Sequence, residues 1–80
     1  MEKRIGTVTL LVSDRTRVAE INRIISEHSD IVLCRQGLPF RERPVAVIAL
    51  IVEGEMGRIN ALCGKVGNVP GVKAKAVITE

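Results

Sequence analysis

Residues 45–52 read V-A-V-I-A-L-I-V, an unbroken apolar run without a polar face. A strand sends alternate side chains to opposite faces of its sheet. Here Ala46, Ile48, Leu50 and Val52 share one face, and Val47, Ala49 and Ile51 share the other. A strand apolar on both sides belongs at the centre of a sheet whose two faces are both covered. The run is far shorter than the ~20 residues a helix needs to cross a bilayer. Whatever fold this chain adopts must therefore hide both surfaces of this segment from water.

Ile5–Val12 (I-G-T-V-T-L-L-V) has the same character. Val8, Leu10 and Val12 alternate with Ile5, Thr7, Thr9 and Leu11, and neither set carries a charge. It reads as a second central strand. Ser13 and Asp14 then supply N-cap oxygens. From Thr16 to His28 the apolar residues Val18, Ile21, Ile24 and Ile25 recur at helical spacing. Ser29 and Asp30 end that helix, and Ile31–Arg35 reads as a strand. Gly37–Pro44, with one glycine and two prolines, is expected to be a loop. Glu53-Gly54-Glu55 breaks the apolar strand, and its glutamates suit the start of a helix. Met56, Ile59, Leu62, Cys63 and Val66 form the second helix stripe, which Gly67, Asn68, Pro70 and Gly71 close. In Val72–Thr79, Lys73 and Lys75 alternate with Val72, Ala74, Ala76 and Ile78, the mark of a sheet-edge strand.

The order is strand, helix, strand, strand, helix, strand. Two similar strand–helix–strand halves give the α+β ferredoxin-like βαββαβ pattern, here as one domain over residues 1–80. Its four-stranded antiparallel sheet carries both helices on one face. Right-handed crossovers put the first and third strands in the middle, in agreement with their two-sided apolar character. The other sheet face then presents Thr7, Thr9, Leu11, Val47, Ala49 and Ile51. An exposed apolar face is expected to associate, most simply with another copy as a dimer or tetramer. A chain of 80 residues buries only roughly 60–65% of its unfolded surface, so association also supplements a thin core.

Composition narrows the partners. Phe40 is the only aromatic, so the sheet has no platform for stacking bases. The net charge of +3 is spread along the chain rather than gathered into a basic stripe. Nucleic acid and membrane are therefore not expected partners. Cys34 and Cys63 form no CxxC pair and His28 is the single histidine, so no metal is expected. Both thiols are expected to be free and buried, in a cytoplasmic protein.

Arg35-Gln36-Gly37-Leu38-Pro39-Phe40-Arg41-Glu42 joins two arginines to a stiff turn, able to grip a carboxylate or phosphate. Ser13-Asp14-Arg15 stands at a helix start, where anions are favoured. Any small-molecule ligand is expected around Asp14, Arg15, Arg35, Gly37 and Arg41, and Phe40 is expected to anchor the loop. Six residues, not four, separate Gly57 from Gly64 and Val66 replaces the hydroxyl residue, so no phosphate loop is present. Gly64 and Gly67 read as a helix-packing glycine and a C-cap rather than a nucleic-acid clamp. His28, in the last turn of its helix, has no nucleophile or second histidine beside it. No catalytic constellation and no cofactor site stand out.

Three segments together resemble a known family. They are Gly6–Val12 leading into Ser13-Asp14-Arg15, Arg35-x-Gly37-x-Pro39-x-Arg41-Glu42, and Leu62-x-Gly64-Lys65-Val66-Gly67-x-Val69-x-Gly71-Val72-Lys73. The chain is similar to the iron-only hydrogenase system regulators. The resemblance implies an ACT-like fold, close to the C-terminal domain of the nickel-responsive repressor. Such domains pair through strands or sheet faces and often bind small ligands where they meet. The chain departs from these relatives in lacking a histidine cluster for nickel and a Pro-Gly turn after the first strand, and no separate DNA-binding domain is expected. The expected function is an oligomeric regulatory module with a small ligand at a subunit interface. A ligand-free interaction adaptor and a small dimeric enzyme are the alternatives.

Overall fold

The computed structural model describes residues 2–80. Its elements are β1 (Arg4–Val12), α1 (Val18–Glu27), β2 (Val32–Pro39), β3 (Ala46–Gly54), α2 (Met56–Gly67) and β4 (Val72–Ile78). A single 3₁₀ turn, Arg15–Arg17, leads into α1. The strands form one antiparallel sheet in the order β2-β3-β1-β4. The two strands with uncharged faces are thus the central pair, and the lysine-bearing strand is an edge.

Alternation decides what each strand contributes. Val8, Leu10 and Val12 of β1 and Ile48, Leu50 and Val52 of β3 are buried. They meet Ile21, Ile24 and Ile25 of α1 and Ile59, Leu62 and Val66 of α2. Each such side chain stabilises the fold by about 1.5–3 kcal/mol relative to exposure. Met56 and Cys63, at the margin of the α2 stripe, are half-buried.

The segment after β2 corrects the expectation of a loop from Gly37. Gly37, Leu38 and Pro39 belong to β2 and pair with Ile48, Val47 and Ala46. Pro39 is tolerated because it ends an edge strand, where a missing N–H removes no bond between two neighbours. The true turn covers residues 40–45, closed by the Phe40 N–H donating to the Val45 carbonyl at 3.0 Å. Gly64 corrects a second expectation: nothing lies within 4 Å of the place its Cβ would occupy, so it packs against no neighbour. Asn68, not Gly67, caps α2, and Gly67 is its last helical residue.

His28 caps the C-terminus of α1 and is buried. Its Nδ1 lies 2.9 Å from the Ile24 carbonyl, an arrangement that satisfies a ring N–H donor. A bidentate pair joins the loop after α1 to α2: Arg58 donates to both carboxylate oxygens of Asp30, each at 2.8 Å. The Arg58 bonds hold the Asp30 carboxyl below its ordinary value of 3.8. A carboxyl depressed in the fold contributes stability that is complete above the unfolded value and disappears as pH falls through the folded one. Asp30→Asn is therefore expected to unfold at lower denaturant than the parent at neutral pH. That gap should hold down to about pH 5 and close below pH 4, as read from urea melts across pH.

Candidate functional site

The junction of β1 and α1 is built by Asp14. Its Oδ1 accepts from the Thr16 hydroxyl at 2.6 Å and from the Thr16 N–H at 3.0 Å. These bonds hold its carboxyl below the ordinary range, with the hydroxyl the larger cause and Arg17 a minor one. Gly71 lets the chain pass close by. It has φ +80°, and a Cβ there would lie 2.8 Å from the Asp14 Cβ. The Ser13 N–H donates to the Gly71 carbonyl at 2.7 Å. Asp14 is thus a cap whose Oδ1 is engaged by Thr16 and whose Oδ2 faces Arg17 Nε at 3.7 Å.

Arg15 leaves this junction in another direction. Its guanidinium donates to the Phe40 carbonyl at 3.3 Å and to the Val45 carbonyl at 3.5 Å. It straps the β2–β3 turn to the start of α1. Between these two segments lies an open hollow of about 760 Å³, lined by Ser13, Arg15, Phe40, Arg41, Glu42 and Arg43 among others. Phe40 lines the hollow and is 37% exposed.

Of the five residues expected around a ligand, the structure brings Arg15 and Arg41 to this hollow. Arg35 is elsewhere, donating to the Asn22 Oδ1 on α1 at 2.7 Å. Gly37 lies opposite Ile48 in the sheet, and Asp14 serves Thr16. Sequence reasoning missed Arg43. The available signal was the Arg41-Glu42-Arg43 alternation in a short turn between prolines.

The second surface is the sheet face turned away from the helices. The strand register sets its residues in rows. Cys34, Ile51, Thr7 and Val77 lie side by side across the four strands. The next row is Gln36, Ala49, Thr9 and Lys75, and the third is Leu38, Val47, Leu11 and Lys73. The six residues expected on this face all alternate with the buried core positions. The edge strands enlarge it: Leu38 is 56% exposed and Val77 53%, beside Ile51 at 43%. Cys34 is exposed here, which corrects the expectation of a buried thiol. A bulge between Val32 and Cys34 is the reason, since the extra residue changes which face each later side chain takes.

Among the described residues, no group of three His, Cys, Asp or Glu side chains could hold a metal ion. No helix among those residues is long and apolar enough to cross a membrane.

A family model described as "TM1266-like: Iron-only hydrogenase system regulator, putative" matches residues 4–76. Among solved structures, that of an uncharacterized protein, TM1266 from Thermotoga maritima, is similar with a TM-score of 0.92 and 32% identity. The match covers 99% of this chain and 100% of that one. No curated protein matches the chain.

Proposed function

The chain belongs to the TM1266-like family of iron-only hydrogenase system regulators, and from that premise we propose that it acts as an oligomeric regulatory module. A second copy covers the sheet face that the helices leave bare. The observation that carries this reading is the set of rows across all four strands. Apolar side chains dominate them, and their only charges are Lys73 and Lys75 on the β4 edge.

A second copy suits this surface on physical grounds. Two such faces stack at about 10 Å with their side chains interleaved, as the layers of a β-sandwich do. A twofold arrangement places like surface on like surface, and this face tolerates that because its rows carry charge only at Lys73 and Lys75 on the β4 edge, away from its centre. Small and β-branched residues (Thr7, Thr9, Val47, Ala49, Ile51) make a low, even relief suited to another sheet. With no aromatic on the face, base stacking is not supplied. We assign the chain no catalysis, since its one histidine is buried and engaged with a backbone carbonyl. A cytoplasmic location accords with two free thiols.

Light scattering coupled to size-exclusion chromatography tests the reading. The expected result is a dimer or tetramer at micromolar concentration. A monomer throughout that range would overturn it. If the chain stays monomeric but recovers a larger complex with a purified component of the same regulatory system, the adaptor role replaces it.

A further inference from the structure

We infer that the hollow between the β1–α1 junction and the β2–β3 turn binds a small organic polyanion, gripped through its phosphoryl or carboxylate oxygens by Arg41 and Arg43. This goes beyond the oligomer reading and needs only one copy of the chain.

Three arginines, Arg15, Arg41 and Arg43, line this one hollow with a single acidic residue, Glu42. Among the described residues, the ion pairs engage Arg17, Arg23 and Arg58, and none of these three. Arg15 spends its hydrogen bonds on the Phe40 and Val45 carbonyls. Its charge stays in the hollow while its donors hold the turn. Arg41 and Arg43 make no hydrogen bond to another described residue, so their forked donors are free. Arginine keeps its charge throughout the physiological pH range, so the hollow is cationic at any working pH. Like charges gathered in one place repel unless an anion joins them. A concave cationic surface also concentrates the field that draws an anion in.

Shape adds to charge. A volume of about 760 Å³ lies within the ~300–1,000 Å³ typical of small-molecule sites. It exceeds what one inorganic phosphate fills and suits a molecule bearing two or more anionic groups. The two arginines flank Glu42 in a turn bounded by Pro39 and Pro44. Prolines restrict the turn before any ligand arrives, which lowers the ordering cost of binding. Ser13 also lines the hollow, and a serine hydroxyl is a further donor available to an oxyanion.

The test is an NMR titration of the full ¹⁵N-labelled chain with pyrophosphate, and separately with citrate. Sodium chloride at matched ionic strength is the reference. Saturable shifts are expected at Ser13–Arg15 and at residues 40–43. The double variant Arg41→Ala/Arg43→Ala should weaken binding by about tenfold or more, the loss of two charge-assisted contacts. Glu42→Gln should strengthen it about two- to fivefold by removing the one opposing charge. Saturation by pyrophosphate alone identifies a phosphoryl ligand, by citrate alone a polycarboxylate. The inference fails if neither probe saturates, or if the shifts follow ionic strength and scatter over all basic residues. It fails equally if the double variant, folded by circular dichroism, binds as the parent does.

Discussion

Gly6→Val is expected to leave the chain without a cooperative unfolding transition, and Gly6→Ala to lower its stability sharply. Gly6 lies in β1 between Val52 of β3 and Ile78 of β4. A Cβ there would stand 2.5 Å from the Val77 carbonyl oxygen and 3.2 Å from the Ile78 Cα. Both are backbone atoms of the neighbouring strand, so no side chain can turn aside to make room. The change forces β4 away from β1. Overpacking of this kind costs about 1–3 kcal/mol where side chains can yield, and more where backbone must. At ~0.05–0.15 kcal/mol per residue, a chain of this length has a net stability of only about 4–12 kcal/mol. Urea melts followed by far-ultraviolet circular dichroism read the effect. An unchanged midpoint for Gly6→Ala would show that β4 does not approach β1 as closely as described.

The second large effect concerns association. Ile51→Lys combined with Val77→Lys is expected to turn the proposed oligomer into a monomer, shifting the dissociation constant at least ~100-fold, or about 2.7 kcal/mol. The two residues flank Thr7 in one row of the bare face. Burying even one unpaired ammonium costs several kcal/mol, and a twofold dimer would have to bury four. Both side chains are largely exposed in a single copy, so the variant should melt as a folded protein. Asn60→Lys, on the exposed side of α2, is the matched control and should keep the parent's mass in light scattering. A double lysine variant that also keeps that mass would place the contact elsewhere.

The central strands were legible because their signal is local. Residues 5–12 and 45–52 alternate without charge, and this alone places them in the middle of the sheet and sorts their side chains by face. The helix stripes were legible for the same reason, since Ile21, Ile24 and Ile25, like Ile59, Leu62 and Val66, recur at the helical period. The far half of β2 was not legible. Gly37 and Pro39 carry turn chemistry, and only their pairing with Ile48 and Ala46 makes that stretch a strand. The bulge after Val32 is equally silent in the sequence. It sends Cys34 to the bare face opposite Ile51, while Arg35 lies opposite Leu50 and reaches Asn22. Nothing in V-L-C-R announces an extra residue. The hollow was only half legible, because Arg15 meets the 40–45 turn through contacts 25 and 30 residues apart in sequence.

The strand order has a consequence for how the protein is made. On the ribosome β1 emerges before the rest of the sheet, yet its two partners are β3 and β4. Until residues 72–78 leave the exit tunnel, the side of β1 that will receive β4 is a naked ladder of backbone donors and acceptors. Such an edge recruits any extended chain nearby, and nascent chains of the same message are the nearest candidates. Truncation within β4 should therefore yield insoluble protein rather than a smaller soluble domain.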